Sequence, residues 1–114
     1  MAINLDTTDP YKLLASFKKA IDDRHVVTWS YDKDGDFTHT PEQWKNQAWL
    51  RPVILNGRLT MNFVGREDIK TSKAIYGVYH GRFIESMLTH CDSLFSIGVA
   101  TAMPTNSDQI TNAA

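Results

Sequence analysis

The chain is poor in the features that narrow a reading quickly. With one cysteine, Cys91, in 114 residues it can form no internal disulfide, which excludes a small secreted scaffold held together by bridges. No charge of either sign dominates: 12 basic against 13 acidic residues leave a formal charge of −1. That balance speaks against a strong electrostatic grip on nucleic acid or an anionic membrane, and equally against an acidic mimic of DNA. Apolar runs such as Ile97 to Met103 fall well short of the ~20 residues a membrane helix needs, so no membrane association is expected. The first nine residues carry acids and polar side chains in place of a basic and then apolar leader. Together with the lone thiol, this makes a cytoplasmic protein the expectation.

What is present is enough for one domain. A 42% hydrophobic and 11% aromatic composition can bury a core, and the length leaves no room for a second one. Asp9-Pro10 reads as a helix start, followed by an apolar stripe of Leu13, Leu14, Phe17 and Ile21 that ends near Arg24. Residues 25–32 read as a strand, with Val27, Trp29 and Tyr31 on one face and Val26, Thr28 and Ser30 on the other. Phe37 to Thr40 extends that strand or pairs with it, and Thr40-Pro41-Glu42-Gln43 allows one or two helical turns. Asn56-Gly57 between residues 49–55 and 58–64 is the strongest hairpin signal in the chain. Thr71 or Ser72 caps a long helix reaching about Cys91, with Tyr76, Tyr79, Phe83, Ile84, Met87, Leu88 and Cys91 on one side. Gly77 and Gly81 sit at the edge of that stripe, where they suggest close approach of another backbone, most simply the first helix. Phe95, Ile97, Val99 and Thr101 alternate with Ser96, Gly98 and Ala100 as a last strand.

The expected fold is therefore α+β, a two-layer sandwich of two helices on one face of a four-stranded, mainly antiparallel sheet in the order α-β-β-β-α-β. Residues 1–103 form the domain, and residues 104–114, polar and without periodicity, form a flexible tail.

The chemistry-bearing residues are few. Asp32, Asp34 and Asp36 have the spacing that opens a calcium loop, but Phe37 stands where that loop needs glycine and Gln43 where it needs a bidentate glutamate. A solvated turn is the expectation. No histidine or cysteine spacing suits zinc, so no metal and no cofactor is expected. His80 falls in the middle of the long helix's apolar stripe, which makes it, with Tyr76 and Tyr79, the candidate lining of a ligand pocket. Cys91 beside His90 reads as an inert core thiol, because adjacent helical residues point about 100° apart.

A second candidate site is a surface. Thr28, Ser30, Arg58, Thr60 and Asn62, with Ser96 and Gly98, define a flat polar sheet face, to which Arg51 and an exposed Trp44 add themselves. The face has few long charged side chains, which suits a protein partner or a second copy as well as it suits water. In element order alone, the succession of helix, three extended segments and helix resembles the double-stranded RNA-binding domain. The Gly- and Lys-rich loop and basic second helix of that family have no counterpart around Thr71 to Ala74, so the resemblance implies no RNA-binding residues here.

The leading expectation is a non-enzymatic interaction or regulatory module acting through the open sheet face or the aromatic hairpin, with a protein or itself as partner. The alternatives are a small-molecule binding protein or enzyme with its pocket at His80, between the long helix and the sheet, and RNA or single-strand binding through Trp49, Arg51 and Arg58.

Overall fold

The computed structural model describes residues 2–112. Its first element is a strand that the sequence reading passes over. Ile3 and Leu5 alternate with Asn4 and Asp6 in β1 (Ala2–Asp6), and both apolar side chains are fully buried. Helix α1 (Pro10–Asp22) starts as its sequence requires, with the Asp9 side chain accepting the Lys12 N–H at 3.0 Å and Pro10 in the first turn. It stops where Arg24 turns left-handed, at φ 62°, and sends the N–H groups of His25 and Val26 back to the Ala20 carbonyl. That reversal buries Val26 and exposes Val27, so the expected facing of residues 25–32 applies only from Trp29 onward.

Two short strands follow, β2 (Trp29–Tyr31) and β3 (Phe37–His39), paired as a hairpin with Trp29 opposite His39 and Tyr31 opposite Phe37. Residues 40–47 make a single turn, in which the Trp44 and Lys45 N–H groups reach the Pro41 carbonyl at 2.8 and 2.9 Å. The Asn56-Gly57 hairpin is present as expected and joins β4 (Ala48–Leu55) to β5 (Arg58–Gly65) in continuous register from Leu55↔Arg58 to Ala48↔Gly65. Only Gly57, at φ 75°, takes a positive φ there, so glycine supplies the one left-handed position this turn uses. Helix α2 (Lys73–His90) is capped by Ser72, whose hydroxyl accepts the Ile75 N–H at 3.1 Å. A 3-10 turn at Asp92–Leu94 then leads into β6 (Ile97–Ala100).

Within the described residues the strands form one antiparallel sheet of six in the order β2-β3-β4-β5-β1-β6. The α+β class and the two helices on one face are as expected; the sheet has six strands and not four, because β1 and the separate arm β3 join it. A Cα radius of gyration of 13.2 Å is that of a compact globule of this length. The two helices meet the sheet through an aromatic cluster in which Phe83 of α2 lies 5.2 Å from Phe17 of α1 and 5.3 Å from Trp29, centroid to centroid. Such edge-on contacts add about 0.5–1.5 kcal/mol per pair beyond the area they bury.

Two faces differ from expectation. Gly77 and Gly81 lie on the outer side of α2, where an added Cβ meets nothing within 4 Å, so no backbone approaches them. The last strand is turned over relative to the expected facing. Pairing of Leu5 with Gly98 and Ile3 with Ala100 puts the small residues on the helix side, and Ile97 and Val99 are 57% and 49% exposed on the other. Close packing explains the inversion, since a Cβ on Gly98 would stand 2.9 Å from the buried Leu5 Cδ2.

Residues 105–111, expected to trail as a tail, run back along β5 beyond the start of β1. There the Gly65 N–H donates to the Gln109 carbonyl at 2.7 Å, and the Gln109 N–H donates to the Phe63 carbonyl at 2.8 Å. Asp108 accepts the Phe63 N–H at 2.8 Å, and Thr71 donates its N–H to the Thr111 carbonyl at the same distance.

Candidate functional site

Both helices cover one side of the sheet, and strand pairing lays out the side chains of the other in rows, in the middle of which Thr60 and Asn62 are buried, each 8% exposed. One row reads Val53, Thr60, Asn4, Val99, and the next Leu55, Arg58, Asp6, Ile97. The middle of the face is polar and satisfies itself: Thr60 donates to Asn4 Oδ1 at 2.8 Å and Arg58 Nε to Asp6 Oδ1 at 3.1 Å. The flanks are apolar, with Leu55 47% exposed on one side and Ile97 and Val99 on the other. Arg51 is bound through Nε and Nη2 to both oxygens of Asp36, at 3.1 and 3.0 Å. This hydrogen-bonded carboxylate raises the Arg51 pKa further above its ordinary value.

Of the residues expected to form an interaction surface, pairing brings Ser30, Arg51, Arg58, Thr60 and Asn62 onto this face. Thr28 and Trp44 are elsewhere, bordering a cavity on the helix side. Ser96 precedes β6, and Gly98 faces Leu5. The Asp32 to Asp36 turn is internally committed. Asp32 Oδ1 accepts the N–H groups of Asp34 and Asp36 at 2.9 and 3.1 Å, and the Asp36 carboxylate belongs to Arg51.

The three residues expected to line one pocket separate. Tyr76 and His80 stack at 4.6 Å between centroids and border an apolar groove of about 560 Å³ between α2 and residues 100–104. The His80 Nδ1 donates to the Tyr76 carbonyl at 2.7 Å. Tyr79 is buried away from that groove. Its hydroxyl donates to the Trp44 carbonyl and lies 3.0 Å from Thr38 Oγ1, and burial pushes its pKa up. Cys91 is buried as expected, and burial raises its thiol pKa.

The histidine in the better-built site is one that spacing along the chain does not single out. His39, at the end of β3, is 4% exposed, lies 4.6 Å from the Trp29 ring, and places Nδ1 2.7 Å from the Thr28 carbonyl. A carbonyl only accepts, so Nδ1 carries the proton and Nε2 keeps its lone pair. Burial, the largest influence, lowers the His39 pKa and favours the neutral ring; the bond to Thr28 opposes it more weakly. Around the ring is a cavity of about 270 Å³, walled by Pro41, Gln43 and Trp44 from the 40–47 turn and by Arg82, Glu85 and Ser86 from α2. Positions 82, 85 and 86 share one side of a helix, which is how α2 delivers all three. The usable signal in the sequence is cross-strand: once β2 and β3 are paired about the Gly35 turn, His39 falls beside Trp29 on the core face. Among the described residues no three His, Cys, Asp or Glu side chains gather as a metal site, and no helix is long and apolar enough to cross a membrane.

Set against protein-family models, curated proteins and solved structures, the chain matches none of them.

Proposed function

We propose that the protein is a small interaction module without chemistry of its own, which engages a protein partner or a second copy through the open face of its sheet. The carrying observation is the apolar flanks of that face, Leu55 on β4 and Ile97 and Val99 on β6, exposed on the side that neither helix covers. A surface built only for water would carry long charged side chains at those positions. The charges it does carry support a protein partner over nucleic acid. Arg51 and Arg58 are paired within the molecule to Asp36 and Asp6, which leaves no row of free cations for phosphates. A single buried thiol suits work in a reducing compartment such as the cytoplasm.

The test is native mass spectrometry of the full chain, purified gently from its own host, beside the double variant Ile97→Lys, Val99→Lys. A dimer or a stoichiometric protein partner, lost in the double variant while its melting temperature holds, is the expected result. A strictly monomeric, unaccompanied chain overturns the proposal, and so does a complex that the two lysines leave intact.

A further inference from the structure

We infer that the cavity around His39 is a binding site for a small planar carboxylate carrying a hydroxyl or N–H donor, of the size of a hydroxybenzoate. The site is independent of the sheet face and lies on the opposite side of the β2–β3 arm. Four features define its chemistry. The His39 ring is locked by the Nδ1–H to Thr28 bond and by its contact with Trp29, and its hydrogen bond among the described residues is made through Nδ1, which leaves Nε2 facing the cavity side of the ring without a protein partner among them. That nitrogen is a fixed acceptor, and it calls for a ligand donor. Ser86, also buried, brings to the same cavity a hydroxyl that no described residue engages.

The anionic end of the ligand is set by Arg82. Only its Nη1 is engaged, at 3.2 Å from each Glu85 oxygen, and both partners are more than half exposed. An exposed pair of that kind contributes little, so the remaining guanidinium N–H donors are available to a carboxylate. Trp44 and Pro41 supply flat apolar walls suited to a ring. At about 270 Å³ the cavity falls just below the range typical of drug-sized ligands, which selects a single-ring metabolite over a nucleotide.

The experiment titrates the intact chain with 4-hydroxybenzoate, 3-hydroxybenzoate and benzoate, followed by amide chemical shifts. At least one hydroxybenzoate should saturate with shifts centred on Thr28, His39, Trp44 and Ser86, and benzoate, lacking the donor, should bind about tenfold more weakly. His39→Phe keeps a ring against Trp29 and should abolish the preference for the hydroxyl, bringing the hydroxybenzoates down to the affinity of benzoate; a preference that survives overturns the inference. Arg82→Gln, a surface change that spares the core, should weaken all three acids. No saturable shift with either hydroxybenzoate up to about 10 mM, a value beyond weak metabolite affinity, overturns the inference. Equal binding of benzoate, or Arg82→Gln without effect, also overturns it.

Discussion

Replacing Gly77 and Gly81 by alanine should stabilise the protein, and by a margin large enough to measure. Both lie inside α2 on its outer side, and a Cβ built at either position meets nothing within 4 Å. The substitution therefore adds no clash, and only the helix-propensity difference remains, about 0.8–1.0 kcal/mol at each position. Part of that gain comes from the unfolded chain, which loses freedom when glycine becomes alanine. With an unfolding entropy of about 2.1 cal/mol/K per residue, a chain of this length changes by about 0.24 kcal/mol per degree near its midpoint. Each single variant should then melt about 4 °C higher and the double variant about 7–8 °C higher. Circular dichroism and tryptophan fluorescence should report the same midpoints, and urea unfolding should shift without a change in slope. A lower midpoint in either single variant would refute the reasoning, because it would mean that another backbone packs against these glycines in solution.

Two tyrosines three residues apart should answer oppositely to loss of their hydroxyls. Tyr79→Phe removes a donor to the Trp44 carbonyl and should cost about 1–2 kcal/mol, whereas the buried Tyr76 hydroxyl has no hydrogen-bond partner among the described residues, so Tyr76→Phe should be neutral or stabilising in urea unfolding. Equal losses would contradict this assignment. Stability should also depend on pH through His39. Its folded pKa lies below the ordinary value near 6.5, so the unfolded chain binds the proton more readily; the contribution is complete above about 6.5 and is lost as pH falls toward the folded pKa. Urea midpoints between about pH 7.5 and 5 should fall with acid, with a shallower fall in His39→Phe; an identical slope in the variant would remove His39 as the cause.

The elements that were legible in the sequence are those fixed by local chemistry. Asp9-Pro10, Ser72 and Asn56-Gly57 act within four residues of themselves, and all three place element boundaries where the sequence reading has them. What escapes it depends on partners far along the chain. β1 is five residues long with polar alternates, and only its position between β5 and β6 makes it an interior strand. Alternation in β6 shows which residues share a face but not which face turns inward, and a period of two makes either choice equally regular. Contact decides it: β1 brings Leu5 against Gly98, where a Cβ would stand 2.9 Å from the Leu5 Cδ2 and force that buried side chain to shift. The same limit governs the sites. The open face is legible because β4 and β5 are read in register, whereas Thr28 is assigned to the wrong side and His39 is missed because the arm beside them pairs through three residues only.

Tyr79 shows how a residue can serve a cavity it does not line. β3 and β4 share one pair, Phe37↔Leu50, and beyond it the strands part around the side chain of Thr38. Thr38 Oγ1 accepts the Asn46 N–H at 3.2 Å and lies 3.0 Å from both the Ala48 carbonyl and the Tyr79 hydroxyl. Tyr79 in turn holds the Trp44 carbonyl. A core residue of α2 thus pins the 40–47 turn, which supplies Pro41, Gln43 and Trp44 as one wall of the His39 cavity. The opposite wall is Arg82, Glu85 and Ser86, one to two turns further along the same helix. Because one rigid element both supplies one wall and anchors the other, the width of the cavity is set inside the core and not by the surface turn. Loss of the Tyr79 hydroxyl should therefore loosen the Trp44 wall more than it disturbs His39, whose ring is held separately by Thr28 and Trp29.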